Sequence, residues 1–248
     1  MIKFTIRIIL LLILSFFISH TLVSQEQEEA IDLSKPTNIY TRLNNNFEYL
    51  NAEGFEFYGY RVNYNMALSK FQGTVELPLL YNTRTKNFGL DDVRLRAYYV
   101  PYTNYDKFFG GAGVSLDVFL PTGEFEKGLG TGAWSISPGF VFGMIFSDRY
   151  SLFPNISYRY QFKENPQVER HGATIQLTNS IVLSEKSFIL LVPMFFQNDF
   201  SDKDSLDSGG EFEFNYMVKY NKLQLGFFTR QLFKSNSQTY RLFVRLFL

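Results

Sequence analysis

The stretch EFEFNYMVKY, residues 211–220, carries the pattern that decides the fold class. Every even position holds an apolar or aromatic side chain, and most odd positions are polar. Because successive side chains of a β-strand point to opposite faces, this period of two predicts a strand with one apolar and one polar face. Residues 239–248 repeat the pattern, with Arg241 and Arg245 on the polar face. The polar residues of the first stretch are Glu211, Glu213, Asn215 and Lys219.

The same period continues through the chain and predicts an all-β fold, a single antiparallel up-and-down transmembrane β-barrel of about 12 strands. Outer-membrane barrels alternate short periplasmic turns with longer extracellular loops. The predicted connections follow that alternation, apart from two outer connections of modest length, 50–54 and 234–238. The predicted strands are 39–49, 57–68, 71–81, 92–101, 110–120, 133–146, 151–162, 173–183, 188–197, 211–220, 223–233 and 239–248. The short turns are 69–70, 103–107, 147–149, 184–186 and 221–222, and the long loops are 82–88, 121–132, 163–172 and 198–210.

The N-terminus has the features of a secretory signal. Lys3 and Arg7 precede an apolar run over residues 8–18, and the small residue Ser24 suits a cleavage site. The run is shorter than the ~20 residues of a membrane-spanning helix, which disfavours a retained anchor. We therefore predict a cleaved signal peptide at 1–24, a short N-terminal periplasmic segment at 25–35 and a transmembrane barrel at 36–248. Export and 18% aromatic residues favour a lipid-facing barrel over a soluble sandwich, which also alternates.

Composition argues against several functions. Lysine and arginine total 24, as do aspartate and glutamate, so the basic excess of a nucleic-acid binder is missing. Without cysteine there is no disulfide, lipoprotein anchor or thiolate site. His171 is the one histidine outside the signal and lacks the motif of outer-membrane phospholipase A, so we expect no catalytic residue. The acidic stretch 199–207 lacks the glycine and glutamate spacing of a calcium loop, so we expect no metal and no cofactor.

The segment DVFLPTGEFEKGLGTGAWSISPGFVF, residues 117–142, is rich in glycine at its centre. Glycine permits positive φ and close backbone approach, as a loop folded tightly against a barrel rim requires. Two interpretations stay open: a rigid loop that closes a hairpin, and a gate or constriction. Upstream, residues 88–95 read FGLDDVRL. In the segment 117–142, the candidate residues for such a rim loop are Pro121, Thr122, Gly123, Gly128, Gly130, Gly132 and Trp134.

These two motifs resemble the family of outer-membrane proteins associated with the meta pathway of phenol degradation. In that family a strand ends in Pro-Thr-Gly, and Gly-Leu-Gly-Thr-Gly later opens a strand that contains Trp-Ser and a proline. The upstream motif resembles the family's Gly-x-Gly-Asp element, with Asp91 in place of the second glycine. The resemblance implies a barrel that passes small, often hydrophobic or aromatic, molecules across the outer membrane.

Turning the apolar face to lipid turns the charges inward, because a lipid-facing arginine near the midplane costs roughly 2–4 kcal/mol. Two interpretations of these charges stay open: an ion-paired network that braces a narrow barrel, and a weakly anion-favouring passage lined by Arg94, Arg96, Arg241 and Arg245. The lumen or constriction candidates are Arg94, Arg96, Asp117, Arg159, Glu211, Glu213, Arg230, Arg241 and Arg245. The alternation of side chains assigns four further charged residues to the inward face: Arg61, Glu76, Asp92 and Lys219.

The aromatic residues allow two roles, a hydrophobic substrate path or girdles at the membrane interfaces. Tyr and Trp favour the headgroup boundary, so girdles are expected for most of them. Phe119, Phe228 and Phe243 are the only aromatics assigned to the inward parity. The tyrosines weighed between the two roles are Tyr58, Tyr60, Tyr98, Tyr150, Tyr158, Tyr220 and Tyr240.

The expected location is the outer membrane of a Gram-negative bacterium, and the expected partners are its lipid, the barrel-insertion machinery and an unidentified small solute. The expected function is a channel or transporter. A structural or adhesive barrel with no open pore is the alternative, and it would concentrate function in the outer loops. An outer-membrane lipid hydrolase is the second alternative.

Overall fold

A computed structural model describes residues 32–52, 55–164, 168–219 and 222–248. The predicted signal peptide, 1–24, and the first part of the predicted N-terminal segment lie outside the described residues. In the described part, thirteen strands and two single 3-10 turns, Phe125–Lys127 and Lys203–Ser205, follow one another. The strands are β1 Arg42–Ala52, β2 Phe55–Leu68, β3 Phe71–Asn82, β4 Asn87–Leu90, β5 Val93–Thr103, β6 Phe109–Leu120, β7 Ser135–Ser147, β8 Tyr150–Gln161, β9 Arg170–Ser184, β10 Ser187–Gln197, β11 Leu206–Lys219, β12 Leu223–Leu232 and β13 Ser237–Phe247.

Twelve of these strands close into an antiparallel barrel, as predicted. Each strand pairs with its neighbours along the chain, and β1 pairs with β13 from Arg42↔Phe247 to Asn51↔Gln238, which leaves no open edge. The thirteenth strand, β4, is short. It pairs with the last residues of β3 while β5 pairs with the first, from Phe71↔Tyr99 to Glu76↔Arg94.

Several predicted loop boundaries were wrong: β9 starts at Arg170, within the predicted loop 163–172, and two further differences concern β4 and β11. Strand β4 begins within the predicted loop 82–88, because β3 and β4 form a tight hairpin whose second strand breaks off before β5. Strand β11 starts at Leu206, within the predicted loop 198–210. Residues 208–210 read Ser-Gly-Gly, a composition typical of loops, yet they pair with β10 and β12. Pairing on both sides supplies hydrogen bonds that no local pattern reveals.

The outer face of the barrel is apolar. Phe47, Phe140 and Leu242 are each more than half exposed, and they belong to rows of large exposed apolar side chains along most strands. Such a surface exceeds the apolar patches of soluble monomers and suits contact with lipid. None of the helical turns in the described residues is long and apolar enough to span a membrane.

Aromatic clusters lie at both ends of the outer face. We call the ends by their connections: the short-turn end carries residues 69–70, 104–108, 148–149 and 185–186, and the long-loop end carries 121–134 and 198–205. At the long-loop end the Tyr49 and Tyr58 rings are 5.3 Å apart. At the short-turn end Phe146 lies 5.3 Å from Tyr150. This arrangement has the form of the two aromatic girdles of membrane barrels.

The segment before β1 folds into the short-turn end of the barrel. Lys35 and Thr37 are buried, with 6% and 3% of their surfaces exposed. The Thr37 and Tyr105 hydroxyls are 2.9 Å apart, and the Tyr105 hydroxyl donates to Asn38 Oδ1 at 2.6 Å. Burial raises the pKa of Tyr105 to about 12, so this hydroxyl keeps its proton and its donor role at neutral pH.

Candidate functional site

The interior of the barrel carries a chain of ion pairs centred on Glu48. This carboxylate, with 1% of its side chain exposed, accepts from Arg61 Nε at 3.0 Å and from Arg241 Nε. Arg61 also reaches Glu76 at 3.0 Å and Asp91 at 3.7 Å. Glu48, Arg61, Glu76 and Arg241 lie on β1, β2, β3 and β13. They therefore connect strands across the seam where the barrel closes.

A second group has more positive than negative charge. Asp117 on β6 binds both Arg94 and Arg96 on β5, at 2.8 and 2.7 Å. Two guanidinium groups share this one carboxylate, and Glu76 lies opposite Arg94 in the strand register. The Arg94 guanidinium also lies 4.9 Å from the centre of the Phe119 ring, within cation–π range.

The remaining predicted charges pair between β11, β12 and β13. Arg245 Nη2 lies 3.0 Å from Glu213, and its Nη1 donates to Asn215 and Gln224. Arg230 binds Glu211, with Nε and Oε1 2.7 Å apart. Phe228 and Phe243 lie under Arg241 and Arg245, at 4.8 and 4.0 Å. The inward phenylalanines predicted from parity thus support the arginine side chains.

Three residues of the inward set do not join these pairs. Arg159 forms no salt bridge within the described residues, and its Nη1 lies 3.4 Å from Asn198 Oδ1. Asp92 instead accepts hydrogen bonds from Gly123 and Thr131 of the loop between β6 and β7. Lys219 is exposed, because the register shifts between Met217 and Lys219, so its predicted inward position was wrong. The restriction of inward aromatics to three phenylalanines was also wrong, since Tyr98, Phe153 and Phe188 line an internal cavity.

Sequence reasoning missed Glu48, Arg42 and Lys35. Glu48 and Arg42 lie on β1, whose polar even positions, from Arg42 through Asn44 and Asn46 to Glu48, follow the period of two. That alternation could have identified them. Lys35 had no comparable indication, because it precedes the first strand and its position depends on how the segment enters the barrel.

The glycine-rich loop between β6 and β7 folds onto the break between β4 and β5. Asp92 accepts from the Thr131 backbone at 2.6 Å, from its hydroxyl at 2.7 Å and from the Gly123 backbone at 3.2 Å. Thr122 Oγ1 donates to the Asp91 carbonyl and accepts from the Val93 amide. Leu129 is buried, with 1% exposed.

The loop glycines adopt conformations that favour glycine. Gly128, Gly130 and Gly132 have φ of 72°, 79° and 73°. The loop begins with Pro121 and ends beside Trp134, which is 41% exposed near the start of β7 at the long-loop end. The signature residues therefore form a compact cover on the rim.

Replacing Gly130 with alanine is expected to loosen this loop. A Cβ there would meet the Asp92 carboxylate, and the left-handed conformation costs an L-residue roughly 1–2 kcal/mol. We expect faster proteolysis within 121–134 and a lower unfolding temperature in lipid vesicles. Gly210→Ala is the matched control, because its Cβ would have only an ordinary contact, 3.8 Å from the Val192 carbonyl oxygen. Equal behaviour of the two variants would contradict this role of Gly130.

His171 and the acidic stretch occupy the long-loop end. His171 lies on β9 rather than in the predicted loop, is exposed, and hydrogen-bonds Tyr158 and Glu169. Asp207 accepts from the backbone of Lys234 and Ser235, so it joins the start of β11 to the loop between β12 and β13. The residues that the structure describes include no group of three His, Asp or Glu side chains arranged to hold a metal.

Two adjoining cavities lie among the inward charges. The larger, of about 260 Å³, is bounded by the segment before β1 and by strands on both sides of the barrel. The smaller, of about 140 Å³, is lined by arginine, asparagine, Thr74 and Glu76. Four residues line both cavities: Arg42, Asn65, Arg96 and Arg245.

Residues 32–242, most of the chain, match the protein family described as "Putative MetA-pathway of phenol degradation". The chain belongs to this family. The resemblance predicted from residues 117–142 is thereby confirmed. A comparison with curated proteins finds no match.

Solved structures of outer-membrane channels share the fold. The COG4313 outer membrane channel from Pseudomonas putida F1 is 10% identical, with a TM-score of 0.64 over 91% of this chain and 100% of that one. The NanC porin is 11% identical, with a TM-score of 0.61 over 83% of this chain and 100% of the porin. The KdgM porin is 12% identical, with a TM-score of 0.58 over 83% and 99%. At such identities the likeness concerns the fold alone.

Proposed function

We propose that the protein is an outer-membrane channel for small solutes, exported by a cleaved signal peptide. The observation that carries the proposal is a closed barrel whose outer face is apolar while its interior holds charged residues around cavities. Membrane proteins keep polar interiors for passage or binding, because charges facing lipid are costly. Its partners are then the surrounding lipid, the insertion machinery during assembly and the solute itself.

The interior favours anions weakly. The smaller cavity is lined by four arginines, Arg42, Arg94, Arg96 and Arg245. The carboxylates that line it or pair with these arginines are Glu76, Asp117 and Glu213, so positive charge exceeds negative charge by one where the cavities meet. A ring of such charge in a narrow passage attracts anions and repels cations. The two interpretations of the inward charges are thus compatible: most arginines are paired, and the small surplus sets the preference.

Planar-bilayer recordings test the channel. We expect discrete conductance steps and an anion-to-cation permeability ratio above one in asymmetric potassium chloride. Arg42→Gln should lower the ratio toward one, because it removes charge at the junction of the cavities. Lys127→Gln is the control, since Lys127 lies in an exposed loop and pairs with Glu124. Absent conductance, or a clear cation preference, would contradict the proposal.

A structural barrel is the second candidate, and the ion pairs around Glu48 favour it. These pairs and the segment before β1 occupy the interior, as expected of a closed barrel that serves as a stable platform. Liposome swelling with small sugars and organic acids separates the two functions. Swelling supports the channel function. No swelling by vesicles that contain the folded protein supports the structural barrel. We propose no enzymatic activity.

A further inference from the structure

The lining of the larger cavity combines apolar and charged side chains. Val141, Phe153 and Phe188 are apolar, and each is less than 10% exposed. Lys35, Arg42, Arg96 and Arg245 are cationic, and the Glu213 carboxylate lines the cavity with them. Ligand sites commonly combine apolar side chains with a few charged groups that fix orientation.

Two of the four cations form no salt bridge in the described part of the chain. Arg96 pairs with Asp117 at 2.7 Å and Arg245 with Glu213 at 3.0 Å. Among the described residues, Lys35 Nζ has the hydroxyls of Ser34 and Ser151 as its hydrogen-bond partners, at 3.4 and 3.5 Å. Arg42 forms no salt bridge there, and its Nε is buried without a hydrogen-bond partner.

Such an arrangement favours an added anion. A buried cation loses hydration, and the loss is offset only by a negative charge with good hydrogen bonds. Arginine binds carboxylates well because its planar fork matches the two oxygens. Lys35 and Arg42 could therefore share one carboxylate.

The volume limits the size of the rest of the ligand. One water occupies roughly 30 Å³ of the liquid, so a cavity of about 260 Å³ holds about nine waters or a solute of similar size. An inorganic anion would leave the apolar side chains uncovered, and a neutral apolar molecule would leave Lys35 and Arg42 unpaired. A compact carboxylate with an apolar body contacts both kinds of side chain.

We propose that this cavity binds small amphipathic carboxylates, with the carboxylate between Lys35 and Arg42 and the apolar body against Val141, Phe153 and Phe188. This names a substrate class and rests on the proposed channel function. The site lies near the short-turn end, where the segment before β1 forms one side of it. Binding there would precede release through that end.

The test measures binding of benzoate to the refolded mature protein in detergent, by isothermal titration or equilibrium dialysis. Benzyl alcohol keeps the ring without the charge, and acetate keeps the charge without the ring. We expect benzoate to bind at least tenfold more tightly than either. Phosphate, in excess, should compete poorly. Equal affinity for benzoate and benzyl alcohol, or displacement by equimolar phosphate, would overturn the proposal, as would absence of saturable binding.

Variants locate the site. Arg42→Gln should weaken benzoate binding at least tenfold, and Lys35→Gln should do the same, which covers the case in which one variant does not refold. Arg159→Gln is the matched control: it removes an inward arginine that also lacks a salt bridge in the described residues but lines neither cavity. Val141→Thr should weaken benzoate severalfold and leave acetate unchanged. An unchanged benzoate affinity in Arg42→Gln and Lys35→Gln would overturn the proposal.

The experiments distinguish a wrong binding site from a wrong channel function. If liposomes containing the protein pass solutes while benzoate binding is absent or independent of Lys35 and Arg42, the site is wrong and the channel stands. If the refolded barrel binds benzoate through both residues but passes no solute, the binding site stands and the channel is wrong.

Discussion

Glu48→Gln is expected to destabilise the barrel more than other single substitutions of its interior charges. The carboxylate is 1% exposed and accepts from two arginines on different strands. Removing one member of a buried ion pair leaves an uncompensated charge, which costs about 3–5 kcal/mol. Arg61 keeps Glu76, but the described residues give Arg241 no second carboxylate. We expect a loss at the lower end of that range, because Arg241 is partly exposed.

The measurement is urea unfolding of the protein in lipid vesicles, followed by tryptophan fluorescence and by gel mobility. Glu124→Gln is the matched control, because Glu124 pairs with Lys127 in an exposed loop and such pairs contribute little. The double variant Glu48→Gln, Arg241→Gln should recover part of the lost stability, since it also removes the arginine that is left without a carboxylate. A loss in Glu48→Gln no greater than in Glu124→Gln would show that the pairs do not brace the barrel.

The strands were predictable because they depend on a local pattern. Most predicted bounds lie within about three residues of the observed ones, and the alternation of side chains placed Arg94, Arg96 and Asp117 on the polar face. In a barrel, one face must meet lipid, so parity alone separates apolar from charged residues. The same parity was available for β1, where Glu48 and Arg42 follow polar alternate positions, but the strand start was placed three residues early.

The pairs themselves were not predictable. Arg241 and Glu48 are 193 residues apart, and they meet only because β13 closes the barrel against β1 in one register. A shift of one residue would turn every side chain of a strand to the other face, as the irregularity before Lys219 shows. The cavity depends further on Lys35, which lies outside any strand. Local sequence therefore predicts the strands of the barrel wall. The register in which the barrel closes determines which charged residues meet inside it.

Removing the segment before β1 is expected to raise single-channel conductance severalfold. Leu33 and residues 35–39 line the larger cavity at the short-turn end, and Thr37 and Asn38 hydrogen-bond the Tyr105 hydroxyl. Because conductance falls as a passage narrows, taking this segment out of the lumen should widen the path for ions. The comparison is between refolded proteins that begin at residue 25 and at residue 39, recorded in the same bilayers.

Tyr105→Phe provides a graded variant of the same experiment. It keeps the ring but removes the hydroxyl that contacts Thr37 and Asn38, so the segment stays attached to β1 with fewer contacts to the wall. We expect a conductance between those of the two proteins, or switching between two levels. The shortened protein must show the gel mobility of a folded barrel. Equal conductance of the two folded proteins would mean that the narrowest point lies elsewhere, at the ion pairs around Glu48, and that the segment serves the cavity rather than the passage.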